Sequence, residues 1–201
     1  MAARLARAPR ESFAERRARR AEVEDPAVVL EAALRFLEAR QRSVAEVRRR
    51  LTTAGYREDL VTGAIARLTG LGILDDAAFA AQWVESRDRA RPRGERALQA
   101  ELRQKGIDSD TIARTLEGRR GTETAPDEAG AASPDETAAR RLITRHAAEL
   151  GRVTDPRARR QRAYALLARK GFGPDVAGEL AREFTAHRGA DSDDEPDAPD
   201  G

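Results

Sequence analysis

A six-residue pattern occurs three times in this chain, and no other feature limits its fold as tightly. Leu51-Thr-Thr-Ala-Gly55-Tyr56, Leu102-Arg-Gln-Lys-Gly106-Ile107 and Leu167-Ala-Arg-Lys-Gly171-Phe172 share Leu-x-x-x-Gly followed by an apolar residue. Asp59, Asp110 and Asp175 each lie four positions beyond the glycine. A glycine just past a helix turns the chain through the left-handed region, and the apolar residue after it folds back over the last turn. The aspartate then stands near the start of the following helix, where free N–H groups and the dipole favour a carboxylate. The glycines are 51 and 65 residues apart. Each interval holds about three short helices, so the repeat itself is the architectural unit.

Local signals agree with helices. Asp25-Pro26, Ser133-Pro134 and Asp155-Pro156 set an oxygen-bearing cap before a proline whose missing N–H is harmless at the first helical position. Ser43-x-x-Glu46 and Ser133-x-x-Glu136 read as capping boxes, and Asp75 and Asp76 as caps for the segment carrying Phe79, Trp83 and Val84. Leu30, Leu34 and Leu37, then Val44, Val47 and Leu51, then Val61, Ile65 and Leu68 follow three- and four-residue spacings, each an apolar helical stripe. Strand signals are nearly absent. Aromatic residues make up only 4% of the chain, so the core rests on Leu, Val, Ile and Ala.

Nine helices are expected, at 27–40, 44–54, 58–70, 76–90, 95–105, 109–117, 135–150, 157–170 and 174–187. Each triplet is too small to bury its stripe well alone, so the units should stack. The expected fold is all-α, an elongated tandem array of three three-helix repeats over 25–74, 75–117 and 134–187. Residues 1–24, an Arg-rich extension, and 188–201, an acidic tail, read as disordered, and 118–133 as a flexible linker.

Composition then excludes several functions. The chain has no Cys and only two His, which removes disulfide frameworks, thiol nucleophiles and histidine metal clusters. No run approaches the roughly 20 apolar residues that span a bilayer. The expectation is a soluble, cytoplasmic protein without a cofactor. Phosphate loops, nucleophile elbows and His-Glu-x-x-His helices are missing, so the chain reads as a non-enzyme. Asp75-Asp76 is the best acid or metal pair, yet helix capping accounts for it. His146 falls on the apolar stripe of its helix with Leu142 and Leu150 and reads as a packed or edge histidine, and Trp83 reads as core.

Binding is the better reading. Formal net charge is +2, but residues 1–24 carry seven Arg against four Glu, while 188–201 carry one Arg against six acids. Only Lys105 and Lys170 are lysines; a GC-rich genome explains that bias, so it names no partner by itself. Positions do more. With Val44, Val47 and Leu51 inward, Arg49 faces away from the core with Arg48 and Arg50 beside it. Arg96 and Arg103 share the face opposite Leu98 and Leu102, preceded by Arg91 and Arg93. Arg157, Arg159, Arg160 and Arg162 crowd a helix start, where the dipole disfavours cations. Arg48, Arg49, Arg91, Arg93, Arg96, Arg103, Lys105, Arg157, Arg159, Arg160, Arg169 and Lys170 are the binding candidates. A direct DNA-binding protein is the rival, since two helices joined by a glycine turn, as in 44–68, look superficially like helix-turn-helix. A general helical scaffold is a third reading.

Three groups of residues, taken in order and spacing, resemble the RecX family of bacterial regulatory proteins, which modulate the RecA recombinase. They are Arg42-Ser43-Val44-Ala45-Glu46-Val47 with Leu51 and Gly55-Tyr56; Leu71-Gly72-Ile73-Leu74-Asp75-Asp76-Ala77-Ala78-Phe79-Ala80 with Val84 and Arg87; and Gly94 with Glu101-Leu102-Arg103-Gln104-Lys105-Gly106-Ile107. The match covers roughly 28–187, the third repeat mainly through Arg169-Lys170-Gly171-Phe172. The first 24 residues, 118–133 and the acidic tail depart from it. The resemblance implies a non-enzymatic monomer that lies in the groove of the RecA–DNA filament. There it would restrain RecA ATPase, strand-exchange and coprotease activities in repair, recombination and the SOS response. Single- or double-stranded DNA is the further partner so implied.

Overall fold

The computed structural model describes residues 11–121 and 132–190, the last four without their side chains. These residues form ten α-helices and no strand: α1 Phe13–Ala21, α2 Pro26–Leu37, α3 Val44–Ala54, α4 Glu58–Gly70, α5 Asp76–Ala90, α6 Glu95–Gln104, α7 Ser109–Gly121, α8 Pro134–Gly151, α9 Pro156–Arg169 and α10 Pro174–Ala190. Two compact units result, dividing between Phe79 and Ala80, inside α5.

In the first unit α2, α3 and α4 close on Val29, Ala33, Val47, Leu51, Val61, Ile65, Leu68 and Leu74. The Ser43–Glu46 capping box starts α3 as the sequence predicts. Gly55 ends it at φ 105°, with Tyr56 N–H returning to the Leu51 carbonyl at 3.3 Å. The phase of α2 differs from expectation. Leu34 is exposed, and Val29 and Ala33 are its buried residues. Alanine lets the α2 backbone approach α4, and the longer leucines flank that contact.

The extension also differs. Phe13–Ala21 is helical where disorder was expected, because Ser12 and Glu15 form a capping box that supplies its first N–H groups with acceptors. It buries no residue of its own. Instead Arg17 lies against Gly55, and Arg20 reaches the Ala54 carbonyl at 3.5 Å while standing 5.7 Å over the Tyr56 ring. Residues 1–10 lie outside the described residues, as do 122–131 of the expected linker and 191–201 of the tail. Positions 118–121 continue α7.

In the second unit the third repeat packs Leu142, Ile143, Leu166, Leu167, Phe172 and Leu180 around Ala139, Ala163 and Ala177. Leu98, Leu102, Ile107, Ile112 and Leu116 are buried in the second repeat. The repeats meet through backbone. Gly94 N–H donates to the Lys170 carbonyl at 3.0 Å, and a Cβ on Gly94 would collide with Gly171 and Phe172. Gly171, at φ 86°, would in turn drive a Cβ to 2.5 Å from that of Ala97.

Charge locks the same junction. Arg119, whose side chain is 7% exposed, binds both Asp88 oxygens at 2.9 Å and Asp135 at 2.7 Å, tying α5, α7 and α8 together. Burial works against its charge, but the two carboxylates outweigh it and hold the guanidinium more basic than usual. Arg141 and Arg145 of α8 donate to the last carbonyls of α5, at Asp88, Arg89 and Ala90, where the helix dipole favours cations.

Two outcomes check this junction. Gly94→Ala and Gly118→Ala both sit at ordinary φ, yet only Gly94 is crowded. The first should lose about 1–3 kcal/mol or more by overpacking, and the second should be neutral or gain up to about 1 kcal/mol of helix propensity, read by urea unfolding. Arg119→Met leaves Asp88 and Asp135 without their shared cation, Asp135 keeping only the Glu95 N–H, and should cost about 3–5 kcal/mol in the same assay.

Candidate functional site

The basic side chains divide into those held by an internal partner and those left to solvent. On α3, half-buried Arg48 pairs with Glu58 at 2.5 Å and reaches the Thr62 hydroxyl at 3.2 Å. Arg49 beside it is exposed and has no side-chain partner among the described residues. Arg93, half-buried, lies 3.3 Å from Glu101. Arg91, Arg96 and Arg103 are exposed and unpaired in the same sense. Arg157, Arg160 and Arg169 are likewise free at the surface, while Lys170 is half-buried and its carbonyl receives Gly94. Arg159 departs from the outward position expected of it. Its Nε donates to the Val153 carbonyl at 2.9 Å and a terminal nitrogen to Thr154 at 3.3 Å, which closes the loop before α9. Asp155 accepts from Arg157 and Ala158 backbone N–H groups and caps the helix that bears this arginine run.

Trp83 is also corrected: it is half-buried and belongs to a charged cluster instead of the core. Its indole N–H donates to Glu101 at 2.9 Å, and Arg87 donates to the same oxygen at 2.6 Å. Arg87 and Lys105 stand over the ring, 4.2 and 4.7 Å from its centre. One carboxylate thus organises three side chains, Trp83 and Arg87 of α5 and Arg93 just before α6. The ring adds a cation–π contact to Arg87 and another to Lys105. Glu101 stood in the sequence only within the family-like segment 101–107, with nothing to mark it as the centre of a cluster.

The acid pair is engaged in capping. Asp75 accepts from Ala77 and Ala78 N–H at 2.8 and 3.0 Å, and Asp76 reaches back to Val44 N–H at 2.9 Å, the start of α3. His146 is partly exposed and lies 3.2 Å from Glu149, at the edge of its helix's apolar stripe. Asp108, not foreseen as a cap, accepts from Thr111 N–H at 2.9 Å, which holds its carboxyl below the usual range. Among the described residues no group of three or more His, Cys, Asp or Glu could hold a metal ion, and no helix is long and apolar enough to cross a membrane.

Comparison with known proteins bears directly on this arrangement. A family model for the first three-helix domain of RecX matches residues 30–68, and one for its second three-helix domain matches 75–116. The "Regulatory protein RecX" of Mycobacterium ulcerans is 39% identical over 157 residues, covering 77% of this chain and 84% of that protein. The chain belongs to the RecX family. The RecX of Mycobacterium avium is 36% identical over 156 residues, again covering 77% and 84%. Two crystal structures share the fold. RecX from Lactobacillus salivarius superposes with a TM-score of 0.67 at 20% identity, covering 81% of this chain and 98% of that one. A second regulatory protein RecX gives 0.63 at 21% identity, covering 85% and 73%. The two matched RecX domains coincide with α2–α4 and α5–α7, two of the three-helix units deduced from the glycines, and the fold is an all-α repeat array.

Because the chain has a single Trp, the cluster around it can be read optically. Glu101→Ala should shift and weaken the indole emission and cost about 1.5–3 kcal/mol, the range for hydrogen bonds to a charged group. Glu101→Gln should keep the indole bond and fall between.

Proposed function

We propose that this RecX protein binds the RecA–DNA filament and restrains its ATPase, strand-exchange and coprotease activities, acting in the cytoplasm as a monomer without cofactor or catalysis. Family membership supports the partner. The observation that carries the mode is that Arg49, Arg91, Arg96, Arg103, Arg157, Arg160 and Arg169 are exposed with no side-chain partner among the described residues, on all three repeats. An arginine left free beside many that find carboxylates is available to planar anions, either phosphates or protein carboxylates. Arg96 and Arg103 are two turns apart on α6, about 10 Å along its axis, so they present paired forks on one rigid element. Occupying the filament would then restrain RecA by blocking access or fixing its geometry.

The helix-turn-helix alternative finds less support. Recognition helices read bases with their N-terminal residues. Here the helices after the glycine turns begin with Glu58 and Asp59, Asp110, and Asp175, which would face phosphates and base edges with negative charge.

The test is RecA ATP hydrolysis on single-stranded DNA. Arg96→Glu with Arg103→Glu should weaken inhibition severalfold while circular dichroism and melting stay near wild type. Wild-type inhibition by the folded double variant would remove the α6 face from the interface.

A further inference from the structure

The third repeat carries an open trough between α9 and α10 with a volume of about 640 Å³. Arg157, Arg160 and Tyr164 line it from α9, and Gly178 and Arg182 from α10. An adjoining hollow of about 470 Å³ shares the three arginines and runs on to Thr185 and Ala186, close to where α10 ends. Arg157 and Arg160 are exposed and have no side-chain partner among the described residues. Arg182, also exposed, donates to the Gly178 carbonyl one turn back, at 3.2 Å. Charge along the trough is graded. Asp175 stands at its far end, in the first turn of α10, and no carboxylate lines the hollow beside Thr185 and Ala186.

The chain itself supplies the complementary charge. Residues 191–201, which follow α10 directly, hold Asp191, Asp193, Asp194, Glu195, Asp197 and Asp200 and no basic residue. Carboxylates placed just after the C-terminal end of a helix meet the negative end of its dipole, so they gain by leaving it for cations. The arginines are within reach. From Ala190 back to Asp175 α10 rises about 22 Å, and eleven residues extend to about 36 Å. Tethering then decides between occupants of the same chemistry. A segment joined to the trough by a few residues is presented at an effective concentration on the order of millimolar, which a free acidic peptide or a second copy of the chain matches only at that bulk concentration.

We propose that the acidic segment 191–201 turns back along α10 and seats its carboxylates on Arg157, Arg160 and Arg182, an internal contact that shields these arginines from other anions. Nothing in the contact requires RecA, so it and the filament reading fail separately.

Because the chain has no Cys, Ala198→Cys gives the full chain a single site for a nitroxide label. Amide signals of Arg157, Arg160, Gln161 and Arg182 should broaden at low salt and recover near 1 M salt, where charges are screened within about 3 Å. Arg157→Ala, Arg160→Ala and Arg182→Ala together should reduce the broadening severalfold, and these exposed side chains support no core. Asp193→Asn, Asp194→Asn and Glu195→Gln, which leave every described residue unchanged, should reduce it as well. Shielding is read by the anisotropy of fluorescein-labelled poly-glutamate. Replacing all six tail acids with Asn or Gln should tighten its binding severalfold, and that gain should be largely lost in the triple alanine background. Three results would overturn the proposal: broadening unchanged by the triple alanine substitution, broadening centred on Arg96 and Arg103 of α6, or the same gain in poly-glutamate binding with and without the trough arginines, the mark of net charge alone.

Discussion

At Gly94 and Gly171 two backbones lie so close that a single methyl group on either would have to displace main chain. The rest of the second unit depends on that approach. Gly94 N–H reaches the Lys170 carbonyl only because no side chain intervenes, and the α6 start is thereby fastened to the turn of the third repeat. Gly171 serves twice, since the left-handed turn that closes its own helix pair also provides the flat surface that Ala97 occupies. The turn and the seam between repeats are one requirement at a single position. That fixes where arginine-bearing α6 stands relative to arginine-bearing α9.

Around this apolar and backbone seam the charges are distributed by partner, not by position in the chain. Arg119 is buried because Asp88 and Asp135 meet it from two other helices, and desolvating that ion triad makes sense only if it specifies how α5, α7 and α8 join. Glu101 performs a related task nearer the surface. Each internal carboxylate removes a cation from the exterior; of the arginines that remain outside, some, such as Arg57 and Arg120, pair with exposed carboxylates, and others, such as Arg96 and Arg103, find no acceptor among the described residues. In a chain with 37 basic and 35 acidic residues that residue-by-residue pairing decides where binding surfaces lie, and the near-neutral net charge hides it.

This is also why the fold was more legible than the site. Helix ends depend on neighbours three or four residues away, so Ser43, Ser133 and Asp155 announce α3, α8 and α9 in the sequence. The α1 box at Ser12 and Glu15 follows the same rule. It was hidden by an almost wholly polar helix, since apolar periodicity is the stronger signal and α1 buries none of its residues. Trp83 and Arg93 were illegible for the opposite reason. Arg87 lies fourteen residues from Glu101, and Arg119 thirty-one from Asp88, so only packing of the helices shows which arginine finds an acceptor.

The repeat therefore separates two demands that compete in a small helical protein. Its buried face is made of Leu, Ile, Val and Ala with few aromatics, and these small side chains bring helices together at close range. The outer faces are then free to carry charge without endangering the core. Holding exposed arginines on short helices that are fixed by glycine contacts reduces what must be ordered when a partner arrives, because only the side-chain torsions remain to be fixed. Charge on mobile segments would lose backbone entropy as well. The proposed regulation by occupancy favours the first arrangement, since a contact that is already ordered keeps more of its binding free energy.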